Sequence, residues 1–228
     1  MREPLPSLIL FARVPVLGRV KTRLAPRLGD DGALALYRAF LEDASRVYGG
    51  ETAWAPVVTV EPDPDDPRIA ALFPAPWRRE AQGSGGLGER LGAAFEREFA
   101  RGTRSALALG SDHPALPRSS LVRLFAALAD GAQAAAIPAD DGGYCAIALS
   151  STVPVDAAFG GIPWSTEDVL AATRERLGAR GVPLQVVGGG YDVDRPEDLD
   201  RLRRDLAGRD SGSEDFPAST ARVLAGMP

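Results

Sequence analysis

Short apolar runs alternate with segments of helical spacing along most of this chain, and that alternation constrains the fold more than any single motif. The runs are Leu8 to Ala12, Trp54 to Val60, Ala106 to Leu109, Ala132 to Ile137, Tyr144 to Leu149 and Leu184 to Val187. They read as mostly buried strands. Between them Leu34, Leu36, Tyr37, Phe40, Leu41, Ala44, Val47 and Tyr48 recur at helical spacing behind an acidic start at Asp30 and Asp31. Leu121, Val122, Leu124, Phe125 and Leu128 do the same, as do Val169, Leu170, Thr173 and Leu177 after a cap-like Ser165. The pattern predicts an α/β fold whose mainly parallel sheet is covered on both faces, with ligands binding beyond the carboxyl ends of its strands. At 228 residues the length fits one large domain, placed at 1–207. The polar stretch Gly208 to Phe216 reads as a flexible link to a short final helix around Ala218 to Ala225, which together fill 208–228.

Charge and scarce residues narrow the chemistry. A formal net charge of -5 argues against a nucleic-acid or anionic-membrane surface, so a local basic cluster is expected to serve one small anionic ligand. No apolar run is long enough for a signal segment or a membrane span, and a cytoplasmic protein is expected. The single Cys145 excludes an internal disulfide, and the single His113 excludes a site built from several histidines. Any metal must therefore be held by oxygens, which points to Mg²⁺ or Mn²⁺.

Five loops could carry function. FARVPVLGRVKTRLAP, Phe11 to Pro26, groups Arg13, Arg19, Lys21 and Arg23 around Gly18. It is not a Walker loop, because Val20 rather than glycine precedes Lys21 and Pro26 follows. It is either a diphosphate cradle or a solvated basic loop. GSDHPAL, Gly110 to Leu116, puts Asp112 at a strand end, as a metal ligand or as a turn residue. PADDGGY, Pro138 to Tyr144, is a hairpin turn or a close backbone approach to a ligand. GIPWSTEDVL, Gly161 to Leu170, carries Trp164 before its helix, as packing or as a wall for a sugar or base ring. YDVDRPEDL, Tyr191 to Leu199, has Asp194 where a helix cap would fall before Pro196, which leaves Asp192 unexplained. No G-x-S-x-G elbow is present, and consecutive Ser111, Asp112 and His113 cannot form a triad.

In order, FARVPVLGRVKTRLAP, QGSGGLGERL, GSDHPAL, PADDGGY, GIPWST and DVDRPEDL resemble a bacterial family of assigned glycosyltransferases linked to radical-SAM and arsenosugar biosynthesis clusters. The resemblance runs from Leu8 to about Leu206 and implies a compact glycosyltransferase-A fold, similar to molybdenum-cofactor and phospholactate nucleotidyltransferases. It implies that Gly18, Arg19, Lys21 and Arg23 bind nucleotide phosphates, that Asp112 binds a divalent ion, and that Asp194, with Asp192, completes the metal site. The chain departs from the family pattern at His113 and Ala115, where the family places a cysteine and an aspartate. Within GSGGLGERL it lacks an acidic residue that relatives place before the leucine, which leaves Arg90 as a nucleotide-loop candidate.

The reading is a metal-dependent transfer of a glycosyl group from a nucleoside-diphosphate sugar to a small acceptor. Lys21 neutralises the leaving diphosphate with Arg23, Asp141 stands near the acceptor or donor sugar, and Gly142, Gly143 and Trp164 line the substrate site. The alternatives are a nucleotidyltransferase that joins a nucleoside monophosphate from a triphosphate to a phosphorylated acceptor, and a non-catalytic nucleotide-binding protein. Base, sugar, acceptor and oligomeric state are not readable.

Overall fold

The computed structural model describes residues 4–50 and 53–227. Among these residues seven strands form one sheet: β1 (Ser7–Arg13), β2 (Ala55–Glu61), β3 (Arg78–Ala81), β4 (Ser105–Gly110), β5 (Ala134–Pro138), β6 (Tyr144–Ser150) and β7 (Leu184–Val186). Their order is β3-β2-β1-β4-β6-β5-β7. β6 alone runs against its neighbours, pairing antiparallel with both β4 and β5, while the other pairs are parallel. The expected strands are all present within a residue or two. β3 was not expected, because its sequence RREA is short, charged and edge-placed and gives no apolar signal.

Side chains alternate across the sheet and build two cores. Leu8, Leu10, Leu107, Leu109, Ala135 and Ile137 face α1 (Ala25–Gly49), α4 (Arg118–Ala129), α7 (Pro196–Ala207) and α8 (Ala218–Ala225). Ile9, Ala106, Ala108, Ala134, Ala136, Ile147 and Leu149 face α3 (Leu87–Ala100), α5 (Val155–Phe159) and α6 (Val169–Gly178). A short α2 (Pro67–Leu72) adds Ile69 to the first core. Helices on both faces cover every central strand, as the continuous apolar runs require.

α1 joins two helical stretches across a break at Gly29 (φ 71, ψ 166): a first turn from Ala25 that holds Pro26, and the longer stretch that starts at Asp30 and Asp31 as the spacing predicts. Two local expectations are corrected. Ser165 does not cap α6. It has φ 66, the helix starts later at Val169, and Thr166 Oγ1 accepts from the Asp168 amide at 3.3 Å. Nor does Asp194 cap α7. Asp198 does so from inside the helix, its Oδ2 accepting from the amides of Asp194 (2.9 Å) and Arg195 (2.7 Å), which leaves the Asp194 carboxylate available.

The segment after Gly208 is pinned rather than loose. Arg209 donates to Ala115 O (3.2 Å) and Asp215 O (3.1 Å), and Arg46 of α1 donates to the carbonyls of Glu214 and Phe216. Asp43 of α1, 3% exposed, caps α8 by accepting from the amides of Ser219 (3.0 Å) and Thr220 (2.7 Å).

Candidate functional site

Because β6 alone is reversed, the carboxyl ends of the other six strands meet on one edge of the sheet, and the loops leaving them enclose a cleft in two halves. The first half, about 630 Å³, is lined by Arg13, Arg19, Lys21, Thr22, Arg23, Glu61, Gln82, Arg90, Asp112 and Asp194 among others. The second, about 420 Å³, is lined by Phe11, Leu91, Tyr144, Cys145, Trp164, Asp141, Asp192 and their neighbours. Phe11, Leu87, Gly110, Asp112 and Ser165 belong to both, so Asp112 stands at the joint.

The basic loop begins where β1 ends. The Arg19 amide closes a turn onto Val16 O (3.0 Å), and Gly18 supplies its positive φ of 68. Lys21 also has positive φ, 48, a conformation unfavourable for a side-chain-bearing residue and held here by the Leu24 amide bonding to Lys21 O at 2.9 Å. This twist sends the Lys21 side chain inward to 3% exposure, with Nζ 2.9 Å from Asp112 Oδ1 and 3.6 Å from Asp194 Oδ1. Among the described residues these two carboxylates are its ion-pair partners. Arg23 Nη1 donates to Asp194 Oδ2 at 2.6 Å from the opposite, exposed side.

Two ties bring Asp194 to Asp112 across the sequence. The Val193 amide donates to Asp112 O (2.9 Å), and His113 Nδ1 lies 3.1 Å from Tyr191 O. Arg27 secures the start of α1 to α7, reaching Asp200 through both terminal nitrogens (3.2 and 3.0 Å) and Pro196 O at 3.0 Å. Burial alone would push the Asp112 carboxyl up, but Lys21, with lesser help from His113 and Ser111, holds it below the ordinary carboxylate range.

The expected residues are thus distributed unevenly. Arg19, Lys21, Arg23, Asp112 and Asp194 converge on the first half, and Lys21 is paired with both carboxylates, which spacing alone does not disclose. Asp192 opens into the second half instead, where burial and the nearby Asp141 raise its carboxyl above the usual range. Asp141 Oδ1 accepts from the Gly143 amide at 2.9 Å inside a tight hairpin, and both residues line the second half. Gly18 and Gly142 line neither half. Gly142 (φ 88) is packed so closely that a Cβ there would stand 2.1 Å from Glu167 O, and its own carbonyl accepts from the Leu170 amide at 2.9 Å. Trp164 both packs and lines the cleft: it lies edge-on to Tyr144 (6.2 Å) and tilted against Phe159 (6.5 Å). Arg90 is already engaged, donating to Glu61 Oε2 (2.9 Å) and Gln82 Oε1 (3.0 Å).

Sequence reasoning passed over several residues that build this wall. Buried Gln82 donates to Ala12 O (2.9 Å) and Thr59 O (3.2 Å) while presenting its oxygen to Arg90. Glu61 joins Arg13 (3.2 Å) to Arg90, and its position directly after an apolar strand is the signal that could have found it. Tyr37, read only as helix core, accepts from the Arg13 amide (2.8 Å) and meets Ser111 Oγ at 3.2 Å, fastening the loops after β1 and β4 together. Burial keeps its hydroxyl protonated, well above the usual tyrosine value.

Residues 46–166 match the family model described as "Uncharacterized protein conserved in bacteria (DUF2064)". The chain belongs to that family. No curated protein matches this DUF2064 chain in sequence. Among solved structures it is similar to a protein of Desulfovibrio desulfuricans G20 provisionally named a nucleotide-diphospho-sugar transferase. The TM-score is 0.86 and the identity 29%, over 97% of this chain and 94% of that one. More distant likenesses show the fold alone. They include a cytidylyltransferase from Leptospira borgpetersenii (TM-score 0.58, 13% identity, 99% and 95% covered). Another is the 4-diphosphocytidyl-2C-methyl-D-erythritol synthase of Anaerococcus prevotii (TM-score 0.56, 14% identity, 90% and 100% covered). The DUF2064 chain therefore has the α/β fold of the nucleotide-diphospho-sugar transferases, and its neighbours support a transferase that uses a nucleotide. Among the described residues, no helix is long and apolar enough to cross a membrane.

Proposed function

We propose that this protein transfers a glycosyl group from a nucleoside-diphosphate sugar to a small acceptor, with Mg²⁺ or Mn²⁺ as cofactor. The observation that carries the reading is the buried Lys21 ammonium, which lies between Asp112 and Asp194 and lines the first half-cleft together with Arg19 and Arg23. A diphosphate there gains charge-assisted bonds from Lys21 and Arg23, and those bonds strengthen as negative charge develops on the leaving nucleotide. Arg90, held by Glu61 and Gln82, forms the far wall of the same half.

The donor set suits a hard divalent ion in a restricted way. Asp112 and Asp194 offer carboxylate oxygens around one point, but among the described residues no group of three or more acidic, histidine or cysteine side chains could hold an ion. Such a pair fits an ion that arrives with the phosphates, the habit of Mg²⁺ at nucleotide sites. When bound, the ion would supply further neutralisation of the leaving diphosphate. Lys21 then turns from the carboxylates to the phosphate oxygens. Asp141, whose Oδ1 is fixed by Gly143, is the carboxylate on the acceptor side, with Trp164 as the wall behind it.

Nucleotidyl transfer to a phosphorylated acceptor is the second reading on this fold. The second half-cleft weighs against it, since among the described residues neither lysine nor arginine lines it to receive an acceptor phosphate. The test is calorimetric titration of nucleoside diphosphates with Mn²⁺, followed by a turnover screen of nucleotide sugars and nucleoside triphosphates. Binding with release of nucleoside diphosphate from a nucleotide sugar supports the proposal. Pyrophosphate release from a triphosphate favours the second reading, and binding without either leaves a non-catalytic nucleotide-binding protein.

A further inference from the structure

The acidic residues around the cleft differ in how they are compensated. Asp112 and Asp194 share Lys21, Asp194 also has Arg23, Asp140 is paired with Arg201, and Asp198 is committed to the amides that start α7. Asp141 and Asp192 line the second half-cleft, and among the described residues neither makes an ion pair there or elsewhere. His113, which lines the same space, partly offsets the charge of Asp192, and Asp141 is exposed, so both carboxylates are open to a cationic ligand with no ion pair to break first.

The rest of that space has the opposite character. Trp164, Tyr144, Phe11 and Ile147 give it an aromatic and aliphatic wall, and its volume of about 420 Å³ suits a small organic molecule rather than a chain. The complement of an apolar wall beside unpaired carboxylates is an organic cation, whose ammonium gains from the carboxylates and from the aromatic faces alike. We propose that the second half-cleft recognises a small amine, its ammonium held by Asp141 and Asp192 and its apolar body laid against Trp164 and Tyr144. Calling that amine the acceptor rests on the transferase reading above; recognition of the ammonium does not. The amine is the handle by which the molecule is gripped, and the attacking group is a different atom.

The test uses the full chain and three probes that share a phenyl ring: phenethylamine, 2-phenylethanol and phenyl phosphate, each titrated calorimetrically at neutral pH. Phenethylamine is expected to bind at least about tenfold more tightly than 2-phenylethanol, with phenyl phosphate the weakest. The advantage of amine over alcohol should collapse in the Asp141→Asn, Asp192→Asn double variant, whereas Trp164→Ala should weaken both probes together. Equal affinity for amine and alcohol, tighter binding of the phosphate, or an undiminished preference in the folded double variant overturns the proposal. Should the double variant fail to fold, the ranking of the three probes on the unaltered protein still decides. A parallel titration with a nucleoside diphosphate keeps the two readings apart. Diphosphate binding without amine preference refutes only the amine subsite, and amine preference without diphosphate binding refutes only the donor site.

Discussion

Lys21 Nζ stands 2.9 Å from Asp112 Oδ1 with a side chain 3% exposed, so a residue of the basic loop serves as the counterion of the carboxylate at the joint of the cleft. Replacement of Lys21 by alanine should therefore remove a phosphate ligand and leave Asp112 and Asp194 facing each other. We expect nucleoside diphosphate affinity to fall by roughly ten- to a hundredfold, the scale of a charge-assisted bond. Asp141→Ala, on the acceptor side, should shift it by less than about threefold while lowering turnover. Calorimetric titration of both variants checks the order, and unchanged affinity in Lys21→Ala would return the loop to a solvated role.

Ion and nucleotide should bind together. Two carboxylates shared with a lysine make a poor metal cage, so Mn²⁺ alone should bind weakly and tighten in the presence of a nucleoside diphosphate. Chelation should weaken nucleotide binding, and Asp112→Asn should abolish the metal-dependent part. Electron paramagnetic resonance of Mn²⁺ with and without nucleotide reads this directly. Identical nucleotide affinity before and after chelation would remove the ion from the proposal.

Gly142→Ala should destabilise the protein by about 1–3 kcal/mol, because alanine is strained at φ 88 and its Cβ would meet Glu167 O at 2.1 Å. The clash lies between the β5–β6 hairpin and the loop carrying Trp164, so both walls of the second half-cleft should loosen. Chemical denaturation gives the first effect and hydrogen exchange across 139–170 the second.

Acid should weaken the cluster behind β3. Burial acts to raise the Glu80 carboxyl, yet Arg78 and Arg101 overcome it and hold the group below its ordinary 4.5. A folded-state value below the unfolded one means that the ionised group stabilises the fold above about pH 4.5, and that this contribution is lost as pH falls through the lower value. Glu80→Gln should accordingly flatten the pH dependence of the melting temperature below that point while lowering stability at neutral pH.

Asp43→Ala should cost about 1–2 kcal/mol by stripping the amides of Ser219 and Thr220 of their acceptor. Asp43→Asn, which keeps one acceptor oxygen, should lose less. Limited proteolysis near the α8 start would report its release.

The strands were legible because burial on both faces writes itself as unbroken apolar runs, from Leu8 to Ala12 and from Ala132 to Ile137. β3 was hidden for the converse reason: an edge strand with RREA carries no such mark. The reversed direction of β6 was hidden too, since a tight Asp-Gly turn suggests a hairpin but does not say where that hairpin enters the sheet. Within the site, loops at strand ends pointed to Lys21, Asp112 and Asp194. That Lys21 would sit between the two carboxylates depends on its positive φ and on the Val193 amide reaching Asp112, a contact between segments far apart in sequence. Gln82 and Tyr37 were missed because a buried amide or phenol reveals its partners only once the chain has folded.

Arg23 and Asp194 meet across 171 positions of sequence, so the anionic ligand's seat is assembled from two segments far apart along the polypeptide. On the ribosome, the loop with Lys21 and Arg23 is made before Asp194 and waits without that carboxylate while the 171 positions that lead from Arg23 to it are added. Competence to hold a nucleotide is thereby deferred until the segment around Asp194 has emerged, and a nascent or prematurely ended chain carries the cationic loop without its partner.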